Sequence, residues 1–345
     1  MNSTQPPAGA DHAPTGPDPA PVHVYAVGRI GVDFRSEAHR DGFRRQMPTH
    51  PGAPPPDPGD AHQLHDHLVR TPWASAGLTW TLTVGGSPCY VLEAEPAAGM
   101  DWGGPALATA ADGSERERLA LLRRIAAAPP VHPVHRALRE ALLGGSLPAD
   151  DPGRTTRLSV PGRLTDRAAR LSSGRLVPVL EVGSTGLASW AEAPLIADAA
   201  ATVGRGLVRR GRTPDPDRVV ADVRALLDRV YVHLRNPGRS AAERALNLAV
   251  TEAFLTGGLA GDGLLSADLL PAGPDDRTAG PGLYALDTIT VARSPHCRAG
   301  SDCQDVMARF LDPADDRRAP VTYLFTVDVS DELPVTLAPV HHFLG

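Results

Sequence analysis

Residues 22–34 read VHVYAVGRIGVDF, where apolar and β-branched residues alternate before glycine and polar positions take over, and this pattern predicts a strand leading into a turn. SEAHRDGFRRQM follows, with Ser36 placed as a helix N-cap ahead of a short helical spacing. Residues 48–60, PTHPGAPPPDPGD, hold too many prolines for helix or strand and predict a loop. AHQLHDHLVR predicts a short helix that stops before TPW, and LTWTLTVGGSPCYVLEAE predicts a hairpin of two alternating strands about Gly85-Gly86.

The pattern then changes twice. SERERLALLRRIAAA predicts a helix opened by Ser114 and Glu117 and stopped by Pro129, and GGSLPADDPGRTT (144–156) marks a junction. RLSVPGRLTDRAARLSSGRLVPVLEV returns to strand character, broken at Pro161-Gly162 and turning at Ser173-Gly174. A long helix follows in DPDRVVADVRALLDRVYVHLRN, with Val219, Val223, Leu226, Leu227, Val230 and Leu234 at helical spacing and a stop at Asn236-Pro237-Gly238. Ser240 and Glu243 form a capping box for a second helix, SAAERALNLAVTEAFLTGGL. LDTITVARSPHC, CQDVMARFLDP and VTYLFTVDVSDELPVTL predict strands again. The fold class is therefore α+β, with strand-rich N-terminal and C-terminal parts around a central helical pair. Residues 1–21 form a Pro/Gly/Ala-rich tail too poor in apolar surface to order itself, and 22–150 and 151–345 read as two α+β subdomains.

Charge and composition narrow the function. All 34 basic residues are arginine, yet the formal net charge is −6, which argues against nucleic acid as the main partner because phosphate binding needs a positive field. No apolar run approaches the roughly 18 residues of a membrane span, and the N-terminus lacks the basic and apolar regions of a signal peptide. A cytoplasmic, reducing location is the expectation, and it weighs against disulfides.

Candidate chemistry is sparse. Walker, Gly-x-Gly-x-x-Gly, His-Glu-x-x-His and Gly-x-Ser-x-Gly patterns are all missing, so no catalytic constellation is expected. His62, His65 and His67 share one short helix without a carboxylate or cysteine at distinctive spacing, and read as exposed and uncommitted. His132, His135, His341 and His342 are no more specific, and Cys89 reads as a structural thiol inside the hairpin. Cys297 and Cys303 stand in SPHCRAGSDCQDV, where two thiolates on a loop between strands could supply half of a tetrahedral zinc site, with His296 as a further ligand. The residues alone leave structural zinc and unremarkable thiols evenly balanced, with a strained or redox-labile disulfide behind them and a catalytic thiol last.

Five blocks taken in order carry a family resemblance: VYAVGRIGVDFRSEAHRDGFRRQM, PWASAGLTWTLTVGGSPCYVLEA, LSVPGRLTDRAARLSSGRLVPVL, RVYVHLRNPGRSAAERALNLAVTEAF, and SPHCRAGSDCQDVMARFLDP with YLFTVDVSDELPVTL. Together they resemble the C-terminal domain of unknown function shared by the cyanobactin maturation proteins PatA and PatG, over nearly the whole chain. The resemblance implies that both α+β parts are of that family's type. It also implies a non-catalytic accessory role in ribosomal-peptide maturation, binding a precursor or leader peptide or a subtilisin-like maturation protease or cyclase. The protease signatures themselves are missing from this chain. Cys297 and Cys303 match the family's cysteine-containing block, which moves structural zinc ahead of the other readings. The alternatives are a zinc-dependent enzyme using Cys297, Cys303 and His296, and a scaffold whose task is oligomerisation, for instance as a homodimer.

Overall fold

The computed structural model describes residues 21–49, 52, 54–95, 114–116, 132–209, 211–255, 258–265 and 283–344. The N-terminal tail and most of the helix expected from Ser114 lie outside the described residues.

The first strand, β1 (Val22–Asp33), does two jobs. Its residues 22–28 pair with β4 (Thr155–Arg170) and its residues 29–33 with β2 (Thr79–Val84), antiparallel in both cases. The hairpin predicted about Gly85-Gly86 continues into β3 (Ser87–Ala94), which runs parallel to β5 (Leu176–Val182), and β5 returns antiparallel to β4. The ring β1-β2-β3-β5-β4-β1 is thus closed, with β1 giving one half of its length to each of its two neighbours. This is the Greek-key strand order of an OB-type barrel. The short β6 (Ala188–Ala191) adds to the start of β4. The division expected at residues 150–151 falls inside this barrel, whose closure joins strands from both sides of it.

The break expected at Pro161-Gly162 does not occur, and the reason lies in the residues that face it from other segments. Pro161 lies opposite Tyr25, whose N–H donates to Gly238 O (2.9 Å) and whose carbonyl accepts from Asn247 Nδ2 (2.7 Å). Both backbone groups of Tyr25 point away from β4, so the missing proline N–H removes nothing from the ladder. Gly162 is needed because a Cβ there would lie 2.5 Å from Glu181 O on the neighbouring strand.

Helix α1 (Glu37–Gln46) begins at Ser36, whose side chain accepts from His39 N–H as expected of an N-cap. Helix α2 (Ala61–Arg70) starts from Asp60, and α3 (Pro133–Ser146) was not anticipated in the sequence. Leu64 and Leu68 of α2 and Val134 and Leu138 of α3 enter the barrel core beside Trp80, Tyr90 and Leu180.

A second core lies on the far side of β1. Val24 and Ala26 face the barrel interior, whereas Tyr25 and Val27 face the helices, which explains an apolar run where a half-buried strand would alternate. The helices are α4 (Glu192–Arg209), α5 (Pro216–His233), α6 (Ala241–Leu255) and α7 (Gly258–Leu264). The predicted central pair is α5 and α6, while α4 is a third long helix that sequence reading left unassigned. The capping box holds, with Glu243 N–H donating to Ser240 Oγ and Ser240 N–H to Glu243 Oε2. Helix α6 is buried between layers, touching β1 on one side and β7 (Ala285–Arg293), β8 (Cys303–Leu311) and β9 (Val321–Asp328) on the other. These strands, with β10 (Val335–Thr336) and β11 (His341–Leu344) both on β9, form an antiparallel sheet in the order β10-β9-β8-β7.

Polar bonds stitch barrel to helices. Besides the Tyr25 contacts, Trp190 Nε1 donates to Ser159 Oγ (2.7 Å), which meets Thr251 Oγ1 at 2.9 Å. Tyr90, whose burial pushes its hydroxyl up to about 12, donates to Pro237 O and accepts from Arg239 Nε. Among the described residues no helix is long and apolar enough to cross a membrane.

Candidate functional site

The loop between β7 and β8 carries the cysteines singled out in the sequence. In place of the expected metal centre, the structure joins Cys297 and Cys303 in a disulfide, with their Cα atoms 5.4 Å apart. Cys303 is wholly buried as the first residue of β8, and Ser294 N–H donates to its carbonyl at 2.9 Å. His296 is exposed and uses its backbone N–H on Ser294 Oγ. Sulfurs bonded to each other offer no thiolate to a metal. Among the described residues no three or more His, Cys, Asp or Glu side chains are grouped to hold one. The compartment argument set the disulfide behind the other readings, but the tight turn brings the two positions within bridging distance.

The His62/His65/His67 segment also departs from expectation. Only His62 is exposed; His65 Nε2 lies 3.3 Å from Glu140 Oε2, and His67 is buried edge-on against Phe43. Burial holds the His67 imidazole below its ordinary value, so it packs as a neutral ring. His135 on α3 is pushed down to about 4, by burial first and by His132 beside it second. His341 and His342 are exposed on β11. Burial raises the Cys89 thiol, which keeps it protonated and unreactive.

A different feature has the geometry of a binding site. Strand β7 ends its sheet, and among the described residues it pairs with β8 alone. A bulge at Asp287 and an Arg229 side chain donating to Leu286 O blunt one end of this edge. Beyond the bulge, among the described residues, no side chain bonds the backbone of 288–293, where Thr288, Thr290, Ala292 and Arg293 are exposed and Ile289 and Val291 half-buried. Directly beneath, between sheet and helices, is an apolar cavity of about 50 Å³. Leu286 and Ile289 of β7, Ala308 of β8, Leu226 and Val230 of α5 and Ala249 of α6 line it. That space is about one third of an engineered cavity that takes up benzene, so it has room for a small aliphatic group. The sequence displayed β7 as a strand, but not as an edge, because edge position depends on the order of strands that are distant in the chain.

Comparison with known proteins gives a consistent result. Residues 23–237 match the family profile described as PatG Domain, and residues 214–343 the one described as PatG C-terminal. A solved structure described as PatG Domain of Unknown Function superimposes with a TM-score of 0.70 at 31% identity, covering 93% of this chain and 98% of that one. No curated protein matches the chain.

Proposed function

Because the chain belongs to the PatG family, we propose that it is a non-catalytic binding protein of cyanobactin-like ribosomal-peptide maturation, which takes an extended peptide as an added strand on the outer edge of β7. The observation that carries this reading is the pairing of a strand edge that is unpartnered among the described residues with an apolar cavity under the same strand. Strand addition draws affinity from main-chain hydrogen bonds along an edge and specificity from pockets for alternate side chains. Residues 288–293 supply the first and the cavity beside Ile289 the second. The peptide would place one small aliphatic side chain in the cavity and leave its neighbours over the exposed threonines.

Titration calorimetry of the full chain with a cyanobactin-type precursor peptide tests the proposal. Ala308→Val fills the cavity from a strand position that favours β-branched residues, so folding is retained. The expected result is binding by the native chain that weakens at least about tenfold in the variant, since losing a buried aliphatic contact costs roughly 1.5 kcal/mol. Peptide that binds both proteins equally would remove the cavity from the account, and no heat at high micromolar peptide would remove peptide binding.

A further inference from the structure

A second site lies on the barrel, away from β7. The start of β4, strand β1 and the end of α3 enclose a cleft of about 230 Å³ whose lining includes Arg29, Arg154 and Arg157. Arg235, just after α5, also acts on Arg157 electrostatically. None of these four arginines joins an ion pair among the described residues, and what marks them is their closeness to one another. In a chain with a net charge of −6, four arginines this close are a local concentration of positive charge that the Glu192 carboxylate near Arg157 offsets only in part.

Arg157 is also held in place. Its guanidinium carbon lies over the Tyr231 ring, 3.5 Å from the centroid, and the Tyr231 hydroxyl donates to Glu192 Oε1 at 2.7 Å. The ring contact restrains the guanidinium, and among the described residues no acceptor is bonded to its N–H groups, which suits two-point bonding to an oxyanion. Arg154 is oriented by donating one N–H to Leu147 O (2.8 Å). Thr156, from the same lining, is beside the Tyr231 hydroxyl, with which its side chain interacts. Desolvating a charge and crowding it with like charges is unfavourable unless an anion compensates, and the one carboxylate acting on Arg157, Glu192, is set against both Arg29 and Arg235.

We propose that this cleft binds a small oxyanion, a carboxylate or a phosphate, through Arg157 with Arg29 and Arg154 around it. The site is independent of the β7 edge and requires nothing of the peptide reading. Calorimetry on the full chain, in a low-salt buffer free of phosphate and carboxylate, uses inorganic phosphate in one arm and succinate in the other. One equivalent of phosphate, succinate or both should bind, and Arg157→Gln and Arg29→Gln should each weaken it at least about tenfold, as expected for a charge-assisted bond. Binding in the phosphate arm alone identifies a tetrahedral anion, and in the succinate arm alone a carboxylate. Arg29 is exposed, so Arg29→Gln keeps the test decisive even where Arg157→Gln fails to fold. Heat from neither probe, or equal affinity in Arg29→Gln and the native chain, overturns the proposal.

Discussion

Replacing Asn247 by alanine should be among the most damaging single changes in the molecule. Asn247 is fully buried on α6, where its Nδ2 donates to Tyr25 O (2.7 Å) and to Asn236 Oδ1 (2.9 Å) while its Oδ1 accepts from Asn236 Nδ2 (2.9 Å). Together with the Tyr25 N–H bond to Gly238 O, it occupies the side of β1 that no strand covers at Tyr25. Alanine removes three hydrogen bonds of about 1 kcal/mol each and strands the buried Tyr25 carbonyl, which adds about 1–2 kcal/mol. The expected loss is about 4–5 kcal/mol, read as a shift in the urea unfolding midpoint by circular dichroism at neutral pH. Asn236 is only half-buried, so Asn236→Ala should cost less, and the two substitutions should be non-additive by at least about 1 kcal/mol because they share a reciprocal amide pair. A loss under about 1 kcal/mol for Asn247→Ala would refute the view that this side chain completes the barrel edge.

Further outcomes follow from the same contacts. Gly238→Ala should destabilise by at least about 3 kcal/mol in the same urea assay, since φ is +67° and a Cβ would sit 2.1 Å from Tyr25 O. Acid should weaken the fold in a defined window: His135, held down to about 4, binds its proton more readily when unfolded, so destabilisation accumulates as pH falls from about 6.5 to 4 and is complete below that. Allowing for its partial exposure, this amounts to about 1–2 kcal/mol, with buried His67 adding in the same direction, and His135→Phe should flatten the thermal-stability profile over that range. Cys297→Ser should lower stability by about 2 kcal/mol under oxidising conditions and by little in reductant, as a short closed loop implies. Intact mass without reductant checks the bridge, and stoichiometric zinc with two free thiols would restore the metal reading.

Elements set by local chemistry were readable in the chain. Ser36 and the Ser240/Glu243 box marked helix starts, and Gly85-Gly86 marked the hairpin, because capping and turn formation are decided within a few residues. What escaped depends on pairing between distant segments. Pro161 read as a strand breaker because its harmlessness rests on Tyr25, Gly238 and Asn247. Helices α3 and α4 lacked the Ser or Asp caps that start α1, α2, α5 and α6; α3 is capped by His132, whose Nδ1 accepts from Val134 N–H, an uncommon cap, and α4 follows β6 directly. At the cysteine loop the residues were found, yet their bonding was not, since spacing alone does not distinguish a bridge from half a metal site. The β7 edge and the arginine cleft arise from strand order and from side chains far apart in sequence, so neither has a local signature.

Hydrogen exchange of the full chain with and without the precursor peptide tests peptide capture by β7 most directly. The account predicts slowed exchange concentrated in alternate amides of residues 288–293, lost when the peptide is N-methylated along one edge. Protection confined to the barrel, or binding indifferent to N-methylation, would contradict it.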